Sequence, residues 1–372
     1  MSKIVGILGA GQLASMIARS VINRGLEVAV YAQSLDEPAC SLAQNVMLAK
    51  VNDRESLERF FQFCSVIILE NEFFDAELLA LFVNETQTKV YPEIQSYKNL
   101  SSKLEQKKFF KKCSIPMADT IEISCEKDLE QIQVPVMFKI SSGGYDGYGN
   151  LLVTEQKDLS KKVKQFSNDY SKIVFAEKFI EIKNEYAVML VKGKNNYIML
   201  PPVKTFQKEN ICHIVDYPAG LSESQSLLLE KYIQTINDKI DGVGVYAFVF
   251  FETSDGELLI NEAAPRVHNS YHFSMEGFNR SQFDLIVDIA LEENIENVQE
   301  CYPYASMINL LGQSPRKNYQ LEIPEFSDCI DFKVHMYGKK ESRSGRKMGH
   351  ITLVSENETG QLAQKIQQEY RL

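Results

Sequence analysis

The stretch AFVFFETSDGELLINEAAPR, residues 247–266, decides how the rest of the chain is read. It reads as two strands joined by a tight turn at Thr253–Gly256 and running into Asn261, Glu262 and Arg266. Such a hairpin is either a surface ribbon or the wall of a site for a metal ion and a phosphate. With the turn there, Val249 and Glu262 point to the same face, because strand side chains alternate with period two.

Upstream, KIVGILGAGQLASMIARSVINRGLEVAVYA (3–32) predicts a buried strand, a glycine turn, a helix from Gln12 to about Asn23 and a strand Glu27–Tyr31, a βαβ unit. A short strand Val46–Leu48 and a helix Arg54–Phe63 follow. SVIILENE then reads as another parallel-type strand, ending in Glu70 and Glu72 at the edge where open α/β sheets bind ligands. From about residue 97 the chain turns basic and helical in KNLSSKLEQKKFFKKCSIPMADT, which predicts a domain boundary there. PVMFKIS, Ile173–Glu177, Glu185–Lys192 and Tyr197–Leu200 read as strands, Ser222–Ile240 as a helix, and Asp331–Val354 as strands around the basic loop YGKKESRSGRKMGH. That loop is either solvated or an anion site.

With 372 residues the chain has room for two or three domains. Its 40 basic and 50 acidic residues leave a net charge of −10, which disfavours a nonspecific grip on nucleic acid or an anionic membrane. No segment is long and apolar enough for a membrane helix or a signal-peptide core, so a cytoplasmic protein is expected. Seven scattered cysteines show no zinc or redox spacing and are expected to be reduced, mostly core thiols. With only five histidines, any metal is expected to be a hard cation on carboxylates.

Gly9, Gly11 and Ala14 match the spaced dinucleotide fingerprint, but Tyr31, Ala32 and Gln33 stand where its ribose-binding acid belongs. A structural turn, or one whose helix end receives a phosphate or sugar hydroxyl, is the better reading. GGYDGYGN (143–150) packs four glycines into seven residues after a strand carrying Lys139. It is either a flexible hairpin loop or a backbone cradle for phosphate beside a lysine point charge.

GILGAGQLASM, LEQKKFFKKCSIPMADT, GGYDG, NEAAPRVHNSYH and GRKMGH occur in order over essentially the whole chain, which thereby resembles the 5-(carboxyamino)imidazole ribonucleotide synthase family of the ATP-grasp superfamily. The resemblance implies a mixed α/β and α+β chain: an N-terminal Rossmann-like pre-ATP-grasp domain (1–97), an ATP-grasp lid region (98–180), a central metal-binding domain (181–300) and a C-terminal β-rich portion (301–372). It implies ATP and Mg²⁺ as cofactors, 5-aminoimidazole ribonucleotide and bicarbonate as substrates, and a homodimer. ATP would be bound by Lys103, Lys139, the loop Gly144, Tyr145, Asp146, Gly147, Tyr148, Gly149 and Asn150, the hinge Glu177, Lys178, Phe179 and Ile180, and by Glu185, Gln207, Asn261 and Glu262. Glu185 would accept the ribose hydroxyls.

By the same resemblance the ribonucleotide would meet Gln12, Glu72, Tyr145, Asp146, Arg266, His268, Asn269, Ser270, Lys339 and Arg346. Lys139, Arg266, Tyr145 and Asp146 would carry the chemistry, and Glu262 with Asn261 would hold magnesium. The implied reaction is ATP-dependent carboxylation of the aminoimidazole amine through carboxyphosphate. The chain departs from the family at Lys103 and Tyr148, where arginine and a basic residue are usual, at Gln207 for histidine and at Tyr271 for glycine. Its chief departure is Val249, in place of a second metal carboxylate, because valine cannot ligate Mg²⁺. Glu252, Asn261, water and phosphates would then complete the coordination, or turnover would be impaired. A noncatalytic nucleotide-binding paralogue and another ATP-grasp carboxylate–amine ligase are the alternatives.

Overall fold

The computed structural model of the chain describes residues 3–141, 149–170, 172, 174–295, 298–317, 319–324 and 330–372. Near the amino end, β1 (Ile4–Leu8), β2 (Glu27–Ala32), β3 (Asn45–Leu48), β4 (Val66–Leu69) and β5 (Lys89–Tyr91) form a parallel sheet in the order β3-β2-β1-β4-β5. The short apolar runs IVGIL and VIIL are buried on both faces, as strands of a covered parallel sheet must be. The helix Gln12–Asn23 occupies the expected residues and buries Leu13, Ala14, Met16, Ile17 and Val21. Arg24, at its end, pairs with Asp288 at 2.6 Å and Asp284 at 3.3 Å on the helix Gln282–Leu291, pinning this domain to the rest of the chain.

A four-stranded antiparallel sheet follows, of β6 (Thr120–Ile123), β7 (Val136–Ile140), β8 (Asn150–Val153) and β9 (Val174–Lys178), in the order β6-β9-β7-β8. The third sheet has eight strands: β10 (Ile182–Lys192), β11 (Tyr197–Lys208), β12 (Ile211–Tyr217), β13 (Gly244–Thr253), β14 (Leu258–Ala264), β15 (Tyr304–Leu311), β16 (Asp331–Met336) and β17 (Lys347–Ser355). Their order is β14-β13-β10-β11-β12-β15-β17-β16, so the carboxyl-terminal strands extend the sheet that begins with the opening hairpin.

Alternation sorts the faces of that sheet. Tyr186, Val188, Leu190, Tyr246, Phe248 and Phe250 pack on Phe109 and Phe110 of the helix Lys103–Cys113 and on Leu229, Ile233 and Ile236 of the helix Glu223–Lys239. Each such fully buried aromatic or aliphatic side chain contributes about 1.5–3 kcal/mol of transfer free energy. Ala187, Met189, Val191, Val245 and Ala247 face the other way, into the core shared with the first domain.

The hairpin turns where expected, with Gly256 at φ +84, and Val249 lies directly opposite Glu262. The register then slips: Phe250 pairs with Ile260, which leaves Asn261 as the extra residue of a bulge. Several elements exceed the sequence reading. β11 runs on to Lys208, and β6, β8, β12, β15 and the helix Gly360–Glu369 were not anticipated. The thiol expectation also needs correcting: Cys64, Cys113 and Cys212 are buried, but Cys125 and Cys301 are exposed.

Candidate active site

A cavity of about 650 Å³ opens where the three sheets meet. The parallel sheet supplies Gln12, Glu70 and Glu72, the four-stranded sheet Lys139, Asn150, Glu177 and the hinge Lys178–Ile180, and the large sheet Glu185, Gln207, Asn261, Glu262 and Arg266. Lys103 enters from its helix, and His268, Asn269 and Ser270 from the turn after β14.

The nucleotide-side charges are paired by named contacts. Glu177, on β9, is buried between two lysines, with Lys107 Nζ 2.6 Å from Oε1 and Lys139 Nζ 2.6 Å from Oε2. Glu177 Oε1 has no partner in hydrogen-bond geometry, so the Lys107 approach is a charge contact. Burial raises the Glu177 pKa and the two lysines oppose it, leaving the group a carboxylate below its usual range. Lys139 Nζ also donates to Asn261 Oδ1 at 3.0 Å, and Lys107 Nζ donates to the Asn261 carbonyl at 2.9 Å. Lys103 Nζ lies 3.2 Å from Glu262, and that charge, more than any other, holds Glu262 down to about 2.

Glu185 is pushed up by burial, against hydrogen bonds donated by Thr205 and Gln207, the latter 2.7 Å long. Gln207 therefore reaches the carboxylate expected to take the ribose hydroxyls. Across the cavity, Arg266 Nε sits 2.9 Å from Glu72 Oε1, while His268 Nδ1 and Ser270 Oγ are 3.0 Å apart. Asn269 Nδ2 donates to Asn309 Oδ1 at 2.9 Å.

Glu70 explains the first glycine motif. Its carboxylate lies over the turn, so a Cβ on Gly9 would meet Glu70 Oε2 at 2.3 Å and one on Gly11 would meet Oε1 at 2.6 Å. Gly9 also has φ +117. Asn71 Nδ2 donates to Glu70 at 3.0 Å and the Ala14 backbone supports it, which places a protein carboxylate at the helix end expected to receive a phosphate. Burial nonetheless raises Glu70 to about 7.

Some expectations fall elsewhere. Gly144, Tyr145, Asp146, Gly147 and Tyr148 lie outside the described residues. Gly149 carries the backbone, at φ +89, into β8 but is not in the cavity wall. Lys339 and Arg346 are not in the wall either: Lys339 Nζ donates to the Lys347 carbonyl at 2.7 Å, and exposed Arg346 donates to the Glu341 carbonyl at 2.8 Å. Lys347, which sequence reasoning missed, is in the wall. Lys107 was also missed, although Lys103, Gln106, Lys107 and Phe110 fall on one helical face by their spacing.

Glu252 cannot complete a metal site. By alternation it faces away from the cavity, where Lys183, Asn184 and Tyr186 hold it at 2.9, 2.7 and 2.9 Å. Among the described residues no group of three His, Cys, Asp or Glu is arranged to hold a metal. The expected ligands leave one carboxylate, Glu262, and one amide oxygen, that of Asn261, which accepts from Lys139. That set fits Mg²⁺ arriving with a nucleotide, since Mg²⁺ commonly takes one or two carboxylates and fills its octahedron with phosphate oxygens and water. Tyr271 is structural: its hydroxyl accepts from Met189 N at 3.1 Å and contacts the Ala187 and Pro201 carbonyls.

Residues 1–99 match the ribonucleotide synthetase preATP-grasp domain, 108–283 the ATP-grasp domain, and 305–365 the phosphoribosylaminoimidazole carboxylase C-terminal domain. An N5-carboxyaminoimidazole ribonucleotide synthase of Staphylococcus aureus is 32% identical over 365 residues, covering 97% of this chain and 94% of the relative. The chain belongs to the N5-carboxyaminoimidazole ribonucleotide synthase family. The family's ATP-grasp enzymes are ATP-dependent ligases. A Synechocystis relative of the same name is 30% identical, covering 94% of this chain and 92% of its own. The S. aureus synthetase structure complexed with ADP superposes with TM-score 0.86 at 28% identity, over 97% of this chain and 95% of that one. The Aspergillus clavatus synthase in complex with ADP and 5-aminoimidazole ribonucleotide gives 0.85 at 26% identity, over 99% and 97%.

Proposed function

We propose that the protein carboxylates the exocyclic amine of 5-aminoimidazole ribonucleotide, with bicarbonate as carbon source and ATP as phosphoryl donor, in purine biosynthesis. The observation that supports this reading is one cavity walled on one side by Lys103, Lys139, Glu185, Asn261 and Glu262 and on the other by Gln12, Glu72, Arg266 and His268. A bicarbonate oxygen attacks the γ-phosphorus, the bond to the β-bridging oxygen breaks, and ADP leaves. The amine nitrogen then attacks the carbon of carboxyphosphate, the carbon–oxygen bond to phosphate breaks, and the amine gives up a proton.

Phosphoryl transfer depends on alignment and charge neutralisation. Lys103 and Lys139 supply positive charge to the phosphates, Glu185 accepts the ribose hydroxyls, and Phe179 and Ile180 of the hinge flank the adenine. Magnesium on Glu262 and Asn261 would neutralise phosphate charge when bound. Arg266 and His268 hold the ribonucleotide, and Lys347 adds a cation on that side. Carboxyphosphate hydrolyses readily, so the reaction needs water kept from it; Tyr145 and Asp146, to which the resemblance gives roles, fall outside the described residues.

The deciding measurement is ADP release from MgATP and bicarbonate with and without 5-aminoimidazole ribonucleotide, in the native protein and in Val249→Glu. Ribonucleotide-stimulated release by the native protein is expected. Release only after Val249→Glu would favour the noncatalytic reading, for which Val249 opposite Glu262 is the supporting observation. The proposal includes a homodimer in the cytoplasm. Light scattering at the monomer mass would remove the dimer.

A further inference from the structure

Glu177 is in contact with two lysines, whereas Glu262 is in contact with Lys103. Lys103 lies 3.2 Å from Glu262, while Lys107 and Lys139 each hold a separate oxygen of Glu177 at 2.6 Å. Lys107 is 5% exposed and does not reach the bulk solvent that would otherwise screen it. Its other contact, 2.9 Å to the Asn261 carbonyl, ties the hinge strand β9 to the bulge in β14. The neighbouring Gln106 fastens the same bulge, donating to the Ala263 carbonyl at 2.8 Å and accepting from Ala263 N at 2.9 Å.

We propose that Lys107 is a positioning residue for nucleotide binding: by occupying one oxygen of Glu177 it keeps Lys139 from being fully neutralised, so that Lys139 is free to turn to the triphosphate. The proposal rests on the reading of Lys139 as an ATP ligand. Charge arithmetic gives it content. With Lys103 and Glu262 beside them as a neutral pair, Lys107, Lys139 and Glu177 sum to +1, a net attraction for an anion in a poorly screened pocket. Without Lys107 the remaining pair sums to zero, and Lys139 is held by a buried carboxylate that, among the described residues, has no other cation in contact. Neutralising Glu177 as well returns the sum to +1 and releases Lys139.

The test is calorimetric titration of MgATP, without ribonucleotide, into the native protein, Lys107→Met, Lys107→Met/Glu177→Gln, Glu177→Gln and Lys139→Ala, beside urea unfolding of each. Lys107→Met is expected to weaken ATP about 10- to 30-fold, and the added Glu177→Gln to bring affinity back to within about threefold of native, with no matching recovery of stability. A merely structural lysine predicts the opposite, a double variant that binds worse than either single one. Native affinity in Lys107→Met, or no rescue in the double variant, overturns the proposal. If Lys107→Met does not fold, Lys107→Gln takes its place: the same loss of ATP affinity, about 10- to 30-fold, is expected, and native affinity overturns the proposal. Native-like ATP affinity in Lys139→Ala would instead refute the underlying reading of the site.

Discussion

Two carboxylates at strand ends face the same cavity and are driven in opposite directions. Glu262 has Lys103 in contact and is held near 2, while Glu70, buried on a glycine turn with the Asn71 amide, the Ala14 backbone and a more distant Arg266, rises to about 7. Burial acts on both. The difference is a cation in contact against an amide, a backbone donor and a more distant cation, and only the contact cation prevails over desolvation. The nucleotide half of the site is thus organised by ion pairs, and the first domain's half by close backbone packing around an acid.

Replacing Lys139 by Ala tests the ion-pair half most severely. ATP-dependent ADP release should fall at least about 10³-fold with the circular dichroism unchanged, because charge stabilisation of the transferring phosphoryl group is the main catalytic contribution. On the other half, Gly9→Ala should cost about 2–4 kcal/mol in urea unfolding, since the new Cβ would meet Glu70 Oε2 at 2.3 Å from a backbone at φ +117. A loss under about 1 kcal/mol in Gly9→Ala would mean the cradle yields easily.

Glu70→Gln sharpens the contrast through pH. The native state keeps the Glu70 proton to about 7, while the unfolded chain releases it near the ordinary glutamate value of 4.5. The native state therefore binds more protons in that interval, and stability falls as pH rises through it, by up to about 3 kcal/mol. Unfolding free energies measured from pH 4.5 to 7.5 should show that slope in the native protein and lose it in the variant. The smallest effect separates two neighbours: Lys347→Ala should raise the ribonucleotide KM about tenfold and Arg346→Ala less than about threefold, since only Lys347 is in the wall. Equal effects would return Arg346 to the site.

Much of the site was legible because its signals are local. Period-two alternation placed Val249 against Glu262, and the strand ending in Glu70 and Glu72 pointed both toward the crevice. The bulge at Asn261 was not legible, because a register slip depends on the facing strand. Lys107 was hidden for another reason: within KLEQKKFFKK it looks like one more solvated cation, and only its packing under β14 makes it a buried partner of Glu177. The first glycine motif was legible as a structural turn, but the side chain it makes room for, Glu70, lies far along the chain and only the fold brings it there.

The joining of β15 to β12 has a practical consequence. A protein cut after residue 300 would lose no nucleotide-side contact named above, yet it would bare a row of unpaired backbone donors and acceptors along β12. Such an edge recruits strands from other molecules. The tail is therefore also a seal against self-association, and a shortened chain should be recovered as aggregate before its chemistry can be assayed.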